Sequence, residues 1–415
     1  MKRAVAAAAA LSFCVSTPTL AQDTETPTAT PSEAGPTVGY YDDGGNWIPP
    51  SRGHAPETDH CPQATWPPEP VSTSERAASS PTPLPVRYHG PCGVTAADGY
   101  GVPDGVVASA WLVADLDTGE VVAMKDPHGR YRPASIIKVL LALTVIAELP
   151  LDQKVPVSAE SAGQEGSAAG IGEGGDYTVE DLLTGLLLAS GNDCAHALAQ
   201  ALGGDELTLG KINALARRLG MHDTRATSYS GLDSAGMSTS AWDMGLAYAT
   251  AFANPTFARF VDTEHYRFPG FDGLPPFELW NDNQLYLNDP DGIGGKTGYT
   301  DDANHTFVGA VDHEGRRLLA VVLDTAAYDH RAWEQAQMLL HEAYGVRSSV
   351  AKLEPLAAPA APTTTKAAPT PTPVAGEETA WNRWQSYAIV AGVLVLAAGA
   401  AAINLATTTR QRRRR

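Results

Sequence analysis

The chain has 415 residues and a formal net charge of −18, a length that allows two or three domains. Setting aside Lys2 and Arg3 at one end and the five arginines of residues 410–415 at the other leaves −25 on residues 22–409. A body this acidic repels polyanions, which excludes nucleic acid as a partner.

Taken in chain order, Met1-Lys2-Arg3 precedes an apolar run from Ala4 to Val15 and a small residue at Ala21. This is the pattern of a secretory signal over residues 1–21, and the run is too short to span a bilayer. Cys14 falls inside it, and bulky Phe13 in front of Cys14 argues against a lipoprotein cut. Residues 22–105 read as an extracellular extension: a Thr/Pro/Glu-rich leader, then a Pro/Gly-rich stretch without sustained periodicity. Cys61 and Cys92 flank a Pro-rich part of it and can close a disulfide loop in an oxidising compartment. A zinc site from His54, His60, Cys61 and Cys92 is the competing reading, but it lacks a C-x2-C pair.

Residues 106–350 are the only stretch with a globular pattern. Val107 to Leu116 and Glu120 to Met124 read as a hairpin across Asp117-Thr118-Gly119. Ser135 to Leu149 is apolar nearly all round, which predicts a helix buried on every side. Helices follow over Thr178 to Leu188, Asp193 to Leu202 and Leu207 to Leu219, the first opened by a Thr-x-x-Asp cap. Cys194 lies in an apolar helical stretch and reads as a buried thiol. Thr306 to Val311 and Leu318 to Leu323 form a second hairpin across a His-Glu-Gly turn, with a helix from about Arg331 to Tyr344. Strands at both ends around a helical middle predict an α+β fold, one antiparallel sheet flanked by helices with a mostly helical subdomain.

The remainder is an anchor. Residues 351–386 form a Pro/Thr/Ala-rich stalk, and residues 387–406 a transmembrane helix. Its apolar run of 19 residues, Ala388 to Ala406, spans about 28 Å at ~1.5 Å per residue. Trp381, Trp384 and Tyr387 precede it as interfacial aromatics, and the arginines of the 407–415 tail stay cytoplasmic by the positive-inside rule. The expected location is the cell membrane, single-pass, with the body outside.

Three short motifs carry the chemistry. Ser135-Ile136-Ile137-Lys138 puts a hydroxyl and an amine on one face of a helix start. The serine becomes a nucleophile only if the lysine is neutral, which apolar burial and a second nearby cation both favour. By itself Ser-x-x-Lys is common and equally reads as a cap and a solvated lysine. Ser190-Gly191-Asn192, between two helices, reads alone as a turn whose Asn caps the next helix. Lys296-Thr297-Gly298 reads alone as a Gly-rich entry into a strand, or as a cation and hydroxyl on an edge strand that holds a carboxylate.

In this order, with 55 and 106 residues between their first members, the motifs match the S-x-x-K, S-x-N and K-T-G set of penicillin-binding proteins and serine β-lactamases. Over about residues 106–350 the chain resembles the low-molecular-mass D-alanyl-D-alanine carboxypeptidases. The resemblance extends to Arg132-Pro133-Ala134, Leu219-Gly220-Met221, Ser230-Gly231-Leu232-Asp233, Met237-Ser238-Thr239, Asn281-Asp282-Asn283-Gln284-Leu285 and Gly292 through Thr300. It departs at Ile137, where the family often has Thr, and at Asn304, where Gly is common. The small β-rich domain that often follows is missing before the stalk.

The resemblance implies Ser135 as the nucleophile that forms the acyl-enzyme, Lys138 as its general base and Ser190 as a proton relay. It implies Asn192, Lys296, Thr297 and Gly298 as substrate-binding, and the backbone N–H groups of Ser135 and Tyr299 as the oxyanion hole. Neither a metal nor a cofactor is called for. The implied partners are peptidoglycan stem peptides ending in D-Ala-D-Ala, and β-lactams as acylating inhibitors. The alternatives on the same fold are a β-lactamase, a D,D-endopeptidase or transpeptidase, and a non-catalytic wall-binding module. No Glu-x-x-x-Asn deacylation loop stands between Asn192 and Lys296, which weighs against β-lactamase. Asp117-Thr118-Gly119 resembles an aspartic-protease signature, but that chemistry needs two such carboxylates. No His-Glu-x-x-His is present to make a zinc protease.

Overall fold

The computed structural model describes residues 39–71 and 81–354. The expected signal sequence, most of the stalk, the transmembrane helix and the basic tail lie outside the described residues. Among the described residues, no helix is long and apolar enough to cross a membrane.

The central sheet has seven strands: β1 (Val94–Ala96), β2 (Ala110–Asp115), β3 (Glu120–Lys125), β4 (Gly292–Thr300), β5 (Asn304–His313), β6 (Arg316–Thr325) and β7 (Ala351–Lys352). Their order is β4-β5-β6-β2-β3-β7, with β1 also pairing β3, and every pairing is antiparallel. The expected α+β sheet is therefore present. It joins the first and last segments of residues 106–350, and it takes in β1 and β7 from outside that range. Among the described residues strand β4 pairs only with β5, so the opposite edge is left open.

Both expected hairpin turns form for local reasons. At Glu314 and Gly315 φ is +53° and +84°, the two left-handed residues of a tight two-residue connection. Asp115 Oδ1 accepts from the amides of Asp117 and Thr118, each at 3.0 Å, so Asp117-Thr118-Gly119 is an Asx-stabilised turn.

Strand β2 is buried along its whole length, because both faces are covered. Trp111 and Val113 join the layer under helix Ala332–Glu342, while Ala110, Leu112 and Ala114 join the larger core on the other face. That larger core is built by α1 (Lys138–Glu148), α2 (Val179–Leu188), α3 (Asn192–Ala201), α4 (Asp205–Arg218) and α5 (Ala241–Phe252). Thr178 caps α2 by accepting from Asp181 N, and the Asp181 side chain accepts in return from Thr178 N, the expected capping box. α1 is buried from Lys138 through Val145, as its unbroken apolar run requires.

Cys61 and Cys92 form a disulfide, and Cys194 is a buried free thiol. The bridge secures an irregular extension that lies against the sheet-and-helix body. Arg130 is 1% exposed and donates to the carbonyls of Thr65, Leu84 and Pro85 at 2.6–3.0 Å. Arg132 donates to Pro68 O at 2.6 Å.

Candidate active site

Ser135 sits in a single 3-10 turn, Ala134–Ile137, that runs directly into α1. Ala134, immediately before it, has φ +48°, a left-handed conformation that costs about 1–3 kcal/mol in a non-glycine residue. The surroundings hold that turn in place: Thr306 Oγ1 donates to Pro133 O at 2.8 Å and Tyr248 OH to Ile136 O at 2.9 Å. Gly231 (φ +90°) presses against the same turn, where a Cβ would lie 2.8 Å from Ser135 N.

Lys138 is fully buried. Its Nζ lies 2.7 Å from Ser135 Oγ, 2.8 Å from Asn192 Oδ1 and 2.5 Å from Ser230 O. A neutral amine has two N–H donors and one lone pair. Two of these partners, Asn192 Oδ1 and Ser230 O, only accept, so they take the two protons and turn the lone pair toward the Ser135 hydroxyl. Burial holds the Lys138 amine well below the usual lysine range, and the charge of Lys296 lowers it further; Asp282, Asp193 and the Cys194 thiol act in the opposite direction.

Asn192 is the first residue of α3 and makes no capping bond. The cap reading of Ser-Gly-Asn therefore gives way to a bridging role, since Nδ2 donates to Glu165 O at 2.7 Å while Oδ1 accepts from Lys138. Ser190 is buried at φ +60° between α2 and α3. Its hydroxyl has no hydrogen-bond partner among the described residues, so no bond ties it to Ser135 or Lys138.

Lys296, Thr297 and Gly298 lie on open-edged β4. Lys296 is fully buried, and its Nζ donates to Thr297 Oγ1 at 3.1 Å. Burial lowers its affinity for a proton while Asp282 raises it. Asp282 Oδ2 lies 3.7 Å from Lys296 Nζ and accepts from Thr297 Oγ1 at 2.8 Å. At Gly298 a Cβ would collide with Thr306 Oγ1 and lie 3.0 Å from Ser135 N. Only glycine lets the edge strand pass this close to Ser135, and Tyr299 follows it on the same strand.

Three contributors had no predicted role: Asp282, the Ser230 carbonyl and Asp193. Asp193 is fully buried and accepts from the amides of Ala169, Gly170, Ile171 and Cys194 at 2.8–3.1 Å. It thereby holds the Gly-rich segment whose Glu165 carbonyl meets Asn192. Asp282 and Ser230 lie inside stretches that carry the resemblance, and Asp193 directly follows the second motif.

A serine and a desolvated lysine at 2.7 Å, beside an edge strand with a buried cation, define a serine acyl-transfer enzyme of the penicillin-binding type. The model for the peptidase S11 family, described as D-alanyl-D-alanine carboxypeptidase, matches residues 99–327, and the chain belongs to that family. It is 43% identical to the Mycobacterium tuberculosis D-alanyl-D-alanine carboxypeptidase DacB2 over 224 residues, covering 54% of this chain and 76% of that protein. Bacillus subtilis DacF, another D-alanyl-D-alanine carboxypeptidase, is 29% identical over 60% of this chain and 67% of its own length. Among solved structures, a putative penicillin-binding protein homolog from M. tuberculosis superposes with a TM-score of 0.59 at 39% identity, covering 62% of this chain and 99% of that one. The Streptomyces K15 DD-transpeptidase gives 0.55 at 26% identity, covering 58% and 98%.

Proposed function

We propose that the chain is a serine-type D-Ala-D-Ala carboxypeptidase that trims cell-wall stem peptides. The observation that carries this reading is the fully buried Lys138 amine, 2.7 Å from Ser135 Oγ. Ser135 Oγ attacks the carbonyl carbon of the penultimate D-alanine as its proton passes to Lys138. The backbone amides of Ser135 and Tyr299 receive the oxyanion. Collapse breaks the C–N bond; the leaving amine takes up the proton through Ser190, and free D-alanine departs from an ester on Ser135. Water then attacks the ester, gives a proton to Lys138, and releases the shortened peptide and the Ser135 hydroxyl. Lys296 and Thr297 hold the terminal carboxylate, and Asn192 binds the peptide group.

β-Lactams imitate the first step and trap its ester. An amine acceptor in place of water would give transpeptidation. That second reading is favoured by the likeness to the K15 DD-transpeptidase. We further propose an exported enzyme tethered by the 387–406 helix, with its stalk and catalytic domain facing the wall; its support is the sequence of the two ends.

Incubation with a fluorescent penicillin tests the reading, with Ser135→Ala as control. Covalent label on the unmutated chain alone, and D-alanine release from a pentapeptide ending in D-Ala-D-Ala, are expected. Absence of label sinks the acyl-enzyme, and rapid loss of label identifies a β-lactamase. Transfer to an added amine in preference to water identifies a transpeptidase.

A further inference from the structure

The extension is seated at the end of the reactive strand. Arg52, 5% exposed, pairs with Asp324 at 3.3 Å, and Val71 N donates to Asp302 Oδ1 at 2.6 Å. These contacts hold residues 39–71 against the β4–β5 turn and the end of β6. There a short antiparallel hairpin stands, Tyr40–Tyr41 paired with Trp47–Ile48. The Tyr41 and Trp47 rings are 5.0 Å apart. Tyr41 OH donates to one oxygen of Asp301 at 2.5 Å, and Tyr299 OH to the other at 3.1 Å. One carboxylate thus ties the extension to the residue placed at the oxyanion hole, and Tyr41 and Tyr299 are still 46% and 42% exposed as residues.

The site also has a direction. With the terminal carboxylate on Lys296 and Thr297 and the scissile carbonyl at Tyr299 N, the leaving D-alanine lies toward residue 297. The acyl chain then runs the other way, past Thr300 to Asp301, since two strand residues cover about 7 Å. The next surface it meets is the hairpin. The local charge is acidic: Thr300 Oγ1 donates to Asp233 at 2.8 Å, and the Tyr41 hydroxyl holds its proton more tightly than usual, first through its bond to Asp301, then through desolvation and the charges of Asp301, Asp302 and Asp233.

We propose that the Tyr40–Ile48 hairpin and Asp301 form the acyl-donor wall of this active site, receiving a stem peptide that carries an ammonium group upstream of the scissile bond. The rings supply flat apolar contact along the peptide, and Asp301 supplies the counter-charge. The inference rests on the carboxypeptidase reading, because that reading sets the direction along β4.

The test measures D-alanine release by the full chain from three substrates: a pentapeptide with a free lysine at its third position, the same peptide with that lysine Nε-acetylated, and N-acetyl-D-Ala-D-Ala. The unmutated chain is expected to prefer the free-lysine peptide over the acetylated one, and Asp301→Asn to lower that preference at least fivefold. Tyr41→Ala with Trp47→Ala should lower the kcat/KM ratio of pentapeptide to short substrate at least fivefold. An unmutated chain indifferent to acetylation overturns the proposal, as does an Asp301→Asn variant that keeps the preference. Penicillin label on the unmutated chain separates these outcomes from failure of the acyl-enzyme itself.

Discussion

Asp282→Asn is the sharpest probe of how the two lysines divide their work. The amide keeps an acceptor for Thr297 Oγ1, so the variant removes charge with little change of shape. At 3.7 Å the Lys296–Asp282 attraction amounts to about 4.5 kcal/mol at an effective dielectric of ~20. The Asp282 side chain is 36% exposed, and solvent screening reduces the figure to about 1–2 kcal/mol, roughly one pKa unit. Asp282 raises the proton affinity of Lys296, which it approaches at 3.7 Å, and also that of Lys138, with which it makes no ion pair or hydrogen bond. On the proposed roles, Lys296 must be cationic to hold a carboxylate, and Lys138 must be neutral to act as base. Loss of the Asp282 charge therefore moves the alkaline limb of kcat/KM down by about one unit, and the acid limb down by less. A pH series of D-alanine release from a pentapeptide measures both limbs. A profile that only falls in height, with both limbs unmoved, would refute the reasoning and leave Asp282 a structural residue.

Three further outcomes are expected. Gly298→Ala places a Cβ against Thr306 Oγ1 and 3.0 Å from Ser135 N; the displaced strand should slow penicillin acylation by roughly 10²-fold, read by stopped-time labelling. Asp126 is fully buried with Oδ1 unpartnered, and burial pushes its carboxyl up to about 6. Its stabilising contribution is thus present below about pH 4 and lost as pH rises through 6, so Asp126→Asn should gain on the unmutated chain by about 2–3 kcal/mol between pH 4 and pH 8 in urea unfolding. Replacing Cys61 and Cys92 with serine opens a loop with a sequence separation of 31, a loss of about 3–4 kcal/mol by chain entropy; an unchanged urea midpoint would count against the bridge.

The parts legible in the sequence are those written in consecutive residues. Ser135-x-x-Lys138 meets across one helical turn, the capping box lies within four residues of Thr178, and each hairpin carries its own turn. The parts that were not legible are brought together by the tertiary fold. Ser230 contributes a carbonyl, which no side chain announces. Asp282 reaches Thr297 because its own amide is pinned to Leu188 O at 2.9 Å, a contact no local pattern encodes. The extension lacks periodicity because its order comes from outside: Arg130 satisfies three of its carbonyls, so no strand or helix is needed to do so. Ser-Gly-Asn is the instructive case, since its sequence suits a helix cap equally well, and only the Lys138 contact decides between the two.

Two fully buried lysines share this site, and among the described residues Asp282 is the only carboxylate that touches either amine. Desolvation makes a second cation costly, so a single proton charge is the stable state. Lys296 holds that charge because it has Asp282, whereas the partners of Lys138 are neutral. A substrate entering with a free carboxylate adds a second negative charge beside Lys296. Its field raises the proton affinity of Lys138 at the moment the base must take the Ser135 proton. When D-alanine leaves it carries that carboxylate away, so Lys138 takes the proton of the attacking water with a weaker basicity than it had during acylation. The terminal carboxylate is therefore more than a recognition handle: arriving with the scissile bond and departing with the product, it tunes the base through the cycle. A substrate amidated at its C-terminus should acylate Ser135 more slowly even when it is saturating.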